Sequence, residues 1–152
     1  MEVTITEVQG FRRVGFKLAM KARLYGFDGP TTHYYHISGD DAYDECSLES
    51  TGNLRPLFRN HLNSYRCACP TFNQLTGWLA QEKGIRCTLL EYPRDGEWRG
   101  RIEWEDRIDG RQVVFSEYST SIIKAWESML STALDELKRQ IPIPNHLIKS
   151  EL

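Results

Sequence analysis

The chain of 152 residues lacks any apolar run approaching the roughly 20 residues that span a bilayer. It also lacks, at Met1-Glu2-Val3-Thr4, the basic and apolar regions of a signal peptide. Cysteine is scarce: four residues, at 46, 67, 69 and 87, do not make the disulfide framework of a small secreted domain, and free thiols are expected. No sign of charge dominates either. A formal net charge of -2 argues against a protein that coats nucleic acid over its whole surface. Together these absences predict a soluble, cytoplasmic protein with no membrane partner. Also missing are a glycine-rich phosphate loop, a dinucleotide fingerprint and a nucleophile elbow, so no cofactor is expected. The stretch Gly10-Phe11-Arg12-Arg13-Val14-Gly15 has two glycines, but neither the Gly-x-Gly-x-x-Gly spacing nor a Walker lysine.

What is present suits a globular α+β protein. The apolar fraction of 40% and charged fraction of 26% are compatible with one domain, or with two small halves that share a core. The charges fall in blocks. Residues 10–27 hold Arg12, Arg13, Lys17, Lys21 and Arg23 and no acid, whereas residues 28–50 hold Asp28, Asp40, Asp41, Asp44, Glu45 and Glu49 and no Lys or Arg. Residues 1–69 read as a β-rich N-terminal part. A short strand is expected at 3–8. Alternating Phe16, Leu18, Met20, Ala22 and Leu24 predict a second strand over 16–24, with Lys17, Lys21 and Arg23 on its other face. Further β structure is expected at 31–37, and a short helix after Asn53 carrying Leu54, Leu57, Phe58 and Leu62.

Residues 70–141 read more sharply. Thr71-x-x-Gln74 fits a capping box opening a helix with Phe72, Leu75, Trp78 and Leu79 as its stripe, and Gly84 is placed to end it. A strand over 85–92 leads through Pro93-Arg94-Asp95-Gly96 into alternating Trp98, Gly100, Ile102 and Trp104, with Arg99, Arg101, Glu103 and Glu105 between them. Asp109-Gly110 signals a hairpin into a strand over 112–118, and Ile122, Trp126, Met129, Leu130, Ala133, Leu134 and Leu137 mark an amphipathic helix. The expected order is αβββα, two helices on one face of an antiparallel sheet, followed by an exposed tail at 142–152. All four tryptophans are expected in the core.

The stretches "CPTFNQLTGWLAQEKGI", "YPRDGEWRGRIEWEDRIDG" and "YSTSIIKAWESMLSTALDEL" resemble the C-terminal region of small phage and prophage proteins of unknown function. That resemblance rests on Leu75, Trp78 and Leu79, on the strand that follows, and on Tyr118-Ser119 ahead of an Ala/Leu-rich helix. It implies a fold and a phage-related origin, hence the cytoplasm of a host cell. The αβββα order is also similar to the double-stranded RNA-binding domain, which holds RNA with lysines at the start of its second helix. Here Lys124 is the one base at that place, and residues 70–141 carry ten bases against twelve acids.

Four groups of residues invite chemistry. His33, His36, Cys67 and Cys69 are donor types that structural zinc prefers, although Cys67-x-Cys69 is not the usual Cys-x2-4-Cys knuckle. On extended chain, the thiols of Cys67 and Cys69 are expected to point apart, as are His33 and His36. A polar strand edge with ordinary buried thiols is therefore favoured over a metal site. His36-Ile37-Ser38 matches half of the His-x-Ser/Thr pair of two-histidine phosphoesterases, but His61-Leu62-Asn63 and His146-Leu147-Ile148 lack the second hydroxyl. Asp40, Asp41, Asp44 and Glu45 lack calcium-loop spacing and read as a solvated loop. The basic strip Arg12, Arg13, Lys17, Lys21 and Arg23, beside His33, Tyr34, Tyr35 and His36, is the expected binding surface, since cations and aromatics together suit phosphates, bases or a protein partner.

The expected function is that of a phage-type binding protein, non-catalytic, acting on a host component as an anti-defence inhibitor or ligand sponge. Its partner would be a host protein or a small phosphorylated ligand, and a homo-oligomer fits the sheet edges. The alternatives are nucleic-acid or nucleotide binding through residues 12–23, and a metal- or histidine-dependent hydrolase.

Overall fold

The computed structural model describes residues 10–37, 46–51, 57–60 and 65–140. The expected strand at 3–8, the acidic loop, His61, His146 and the tail at 142–152 lie outside them, as does most of the helix expected after Asn53. Within that expected helix, residues 57–60 are not helical, and Phe58 instead bridges Thr31. The class is α+β. Helix α1 (Phe16–Leu24) is followed by β1 (His33–Ile37), β2 (Cys46–Ser50) and β3 (Arg66–Ala68). Helix α2 (Phe72–Lys83), β4 (Arg86–Tyr92), β5 (Glu97–Asp106), β6 (Gly110–Phe115) and α3 (Ile122–Gln140) complete the order. Two antiparallel sheets form, ordered β2-β1-β3 and β4-β5-β6.

Residues 16–24 are helical, not a strand. The five alternating apolar residues fit period two, but Leu18, Ala19 and Ala22 also make one face of a helix, and helix propensity prevails in a segment of Lys, Leu, Ala, Met and Arg. The buried residues are Leu18, Ala19 and Ala22, one helical face whose small alanines let α1 lie against α3 and β3. Gly26 ends the helix at φ 95°, donating to Arg23 O while Phe27 N–H donates to Ala22 O. That is a Schellman closure, with Phe27 buried beneath it.

The C-terminal half forms as its sequence signals require. The Thr71–Gln74 capping box closes in both directions, and Gly84 caps α2 at φ 69°. Ser121 Oγ accepts from Lys124 N–H at the start of α3. Residues 12–14 run against 70–72, through Val14 N–H to Pro70 O and Phe72 N–H to Arg12 O, which ties the N-terminal part to α2. One core cluster therefore runs from Val14 and Leu18 through Phe72, Leu79 and Ile102 to Leu137. Trp126 and Trp78 belong to it, whereas Trp98 and Trp104 are only half-buried.

Helices α2 and α3 cover one face of the β4-β5-β6 sheet. Gly100 and Ile102 point into that covered face and Arg99, Arg101, Glu103 and Glu105 to the other, as period-two alternation requires. The second face carries no helix among the described residues, and the sequence concentrates guanidinium and aromatic groups there.

Candidate functional site

The strip expected to bind anions is largely occupied by contacts within the protein. On a helix Lys17 and Lys21 share a side but Arg23 does not. Lys21 Nζ lies 2.9 Å from Asp135 Oδ1 and 2.7 Å from Ser131 Oγ, both on α3. Arg23 donates to Arg66 O at 3.2 Å, and Arg13 donates to Cys69 O and to Thr32 Oγ1. Arg12 and Lys17 are exposed.

The histidine–cysteine group does not assemble. His33 and His36, three apart on β1, face opposite sides of the sheet. His33 Nδ1 is 2.9 Å from Thr32 Oγ1; burial, then the Arg13 charge, holds its pKa below the usual imidazole value. Tyr35 points inward, donating to Val14 O at 2.8 Å, while Tyr34 points outward against Phe58 and Arg66. Cys67 and Cys69 do not diverge. Residues two apart on extended chain share a face, and both thiols are buried on the core side, where Cys69 Sγ donates to Val14 O. Among the described residues no group of three or more His, Cys, Asp or Glu is placed to hold a metal ion.

Burial pushes the Cys67 thiol up to about 12, Cys69 to about 11 and Cys87 to about 12. All three are therefore thiols at neutral pH, poor nucleophiles and poor metal ligands. With 5,5′-dithiobis(2-nitrobenzoate) at pH 8, these three are expected to react orders of magnitude more slowly in folded protein than in denaturant. Rapid labelling of Cys67 or Cys69 in the folded state, located by peptide mass, would contradict that placement.

The open face of the C-terminal sheet carries a different constellation. At one end the Arg99 guanidinium lies 4.1 Å from the Phe115 ring centroid, 4.6 Å from Tyr118 and 5.8 Å from Tyr92. Tyr92 and Tyr118 meet edge to face at 5.3 Å. Backbone irregularity builds the cluster. Ser116 N–H donates to Gly100 O, and Trp98 and Ser119 exchange both of their hydrogen bonds. Between those pairs, Glu117 and Tyr118 stand against the single residue Arg99. Two residues against one is a β-bulge, and it turns Tyr118 onto Arg99.

A guanidinium carries five N–H donors. Arg99 makes no hydrogen bond or ion pair among the described residues, and its Nε is buried without an acceptor. Exposed arginines ordinarily swing in water; ring contacts worth about 0.5–1 kcal/mol each hold this one in place. The result is a fixed, unclaimed fork of donors within an apolar rim, with Phe115 and Tyr118 44% and 50% exposed.

At the other end of the face Glu103 pairs with two arginines. Glu103, largely buried, accepts from Arg111 Nε at 3.0 Å and from Arg111 Nη2, with Arg101 Nε 3.4 Å away. The Arg111 hydrogen bond is the main cause holding the Glu103 carboxyl below its usual pKa. Its stabilisation is thus present above the unfolded carboxyl value and is lost as pH falls through the folded one. Beside it a cavity of about 490 Å³ is lined by Arg86, Glu103, Trp104, Glu105 and Arg111 of the sheet and by Ala80 and Gly84.

Strand alternation placed Arg99 on the open side, but nothing local in the sequence signalled its ring partners. Comparison of the chain with protein-family models, with curated proteins and with solved structures finds no match.

Proposed function

We propose that this protein acts by binding, and that the open face of β4-β5-β6 takes a protein partner that presents a carboxylate beside apolar side chains. The observation that carries this is the Arg99 guanidinium, fixed by Phe115, Tyr118 and Tyr92 and claimed by no acceptor among the described residues. A pre-oriented guanidinium fits a carboxylate through two parallel hydrogen bonds. Arginine and tyrosine surrounded by contacts that exclude water are typical of the residues that dominate protein interfaces. A protein is favoured over a nucleic acid by charge. Arg86, Arg99, Arg101 and Arg111 share the face with Glu97, Glu103 and Glu105, a balance too even to hold a chain of phosphates.

A phage-type accessory protein that engages a host component, as an inhibitor or sponge, is consistent with this surface, and its support is the resemblance of residues 70–141. Nucleotide or nucleic-acid binding through residues 12–23 is weakened by the internal contacts of Arg13, Lys21 and Arg23. A hydrolase built on His33 and His36 is weakened by their opposite orientation on β1.

Selection of random displayed peptides on the immobilised protein tests the proposal. Enrichment of sequences with Asp or Glu beside an aromatic or aliphatic residue is expected. A basic consensus, no consensus, or preferential binding of single-stranded oligonucleotides at 150 mM salt would overturn it.

A further inference from the structure

Four of the exposed large apolar side chains, Ile108, Val113, Phe115 and Tyr118, lie on β6 or just beyond its ends. They are all of those that fall within residues 70–140. Ile108 is 91% exposed. β6 is also an edge strand. Because Ser116 bonds inward to Gly100, alternation turns the N–H and C=O groups of Val114 and Gln112 inward too, and those of Arg111, Val113 and Phe115 outward. Those three residues have no backbone partner on their outer side among the described residues. The strand has no proline and no charge turned into the sheet, and its register with β5 is unbroken from Gly110 to Phe115. Such an edge lacks most of the usual protections against pairing.

We infer that β6 is the interface of a homodimer, in which two copies pair antiparallel about a two-fold axis at Val113 and join their C-terminal sheets into one of six strands. The edge is complementary to itself in this register. Val113 meets Val113 of the second copy, and Arg111 lies opposite Phe115, an alkyl stem and cation against an aromatic ring. Ile108 in the β5–β6 turn comes beside Tyr118 of the second copy. All six outward N–H and C=O groups of Arg111, Val113 and Phe115 find partners. Another register would match fewer of these groups, and a shift by one residue would send the apolar set to the wrong face. One like-charge pair arises, Asp109 with Glu117, and it falls beyond the strand ends.

The two-fold stands perpendicular to the joined sheet, so both Arg99 clusters face the same side. Strand spacing and rise place them on the order of 30 Å apart. Arg111 and Ile108 of each copy then border the Arg99 cluster of the other. The dimer does not rest on the partner proposed for Arg99.

Light scattering after gel filtration, across a hundredfold concentration range, is expected to reach twice the 17.7 kDa chain mass. Val113→Glu, which opposes two carboxylates at the axis, is expected to return the single-chain mass with an unchanged circular-dichroism spectrum. In the unmodified dimer, amide exchange at Arg111, Val113 and Phe115 is expected to slow at least tenfold as concentration rises. A monomer at every concentration would overturn the inference. So would a dimer in which those three amides exchange as fast as in the monomer, or one that survives in a folded Val113→Glu variant.

Discussion

Replacing Gly100 by alanine is expected to destabilise the protein by about 2 kcal/mol, although alanine is intrinsically the better strand residue. The cause is space. A Cβ at Gly100 would sit 2.3 Å from Met129 Cγ and 2.4 Å from Met129 Cβ. The first atom can swing aside, but the second is fixed to the backbone of α3. The helix must move away from the central strand, or the strand must bend, while Gly100 holds Ser116 through two hydrogen bonds. Urea unfolding would read the loss, and in a chain of this size the melting temperature should fall by roughly 4–8 °C. The same substitution at Gly77 is the control. No atom lies within 4 Å of a Cβ there, in the middle of α2, so Gly77→Ala is expected to stabilise by about 0.5–1 kcal/mol. Equal effects at the two positions would mean that backbone entropy, and not the fit of α3 on β5, dominates at Gly100.

For Arg99→Ala, the expected loss is in binding and not in folding. Against an acidic peptide recovered by selection, the dissociation constant should rise by roughly 30-fold or more, the about 2 kcal/mol of a dominant interface residue. Stability should change by about 1 kcal/mol or less, because the lost ring contacts are offset by removal of a buried donor that had no acceptor. Arg99→Lys should recover little of the affinity. An ammonium keeps the charge, but it has neither the planar fork nor the flat surface that lies on Phe115 and Tyr118. Full recovery by lysine would show that only net charge matters on this face.

Most of the C-terminal half was legible because its signals are local and agree. Thr71 and Gln74 define a capping box, Gly84 a left-handed cap, Asp109-Gly110 a hairpin, and the alternation from Trp98 to Trp104 a two-faced strand. The N-terminal half was less so. Phe16 to Leu24 satisfies both periods, and the choice turns on whether Ala19 and Ala22 can pack together, which depends on α3 far along the chain. Gly26 is the clue that a helix ends there, since a glycine suits the left-handed position where its N–H closes onto Arg23 O and Phe27 N–H onto Ala22 O. Cys67 and Cys69, two apart on extended chain, fall on the same face, and that face is the core side.

The candidate site shows a different gap. Alternation put Arg99 on the open face, but Phe115 and Tyr118 reach it only because Glu117 and Tyr118 stand against one residue of β5. That bulge depends on where Trp98 and Ser119 pair, and no turn residue announces it. The basic strip misled for the opposite reason. Arg13, Lys21 and Arg23 cluster in sequence, yet each has an acceptor more than 40 residues away, at Cys69 O, Asp135 and Arg66 O respectively.

The proposed role of Arg99 requires that aromatic rings hold its guanidinium and leave it open to a partner's carboxylate. A two-dimensional NMR spectrum of the arginine Nε–Hε groups, assigned by comparison with Arg99→Ala, tests it without knowledge of the partner. The Arg99 signal should stand apart from the other arginines, shifted upfield by the rings and slow to exchange, and it should move first when a short acidic peptide is added. An Arg99 signal averaged with those of the solvated arginines, and unmoved by that peptide, would contradict the account.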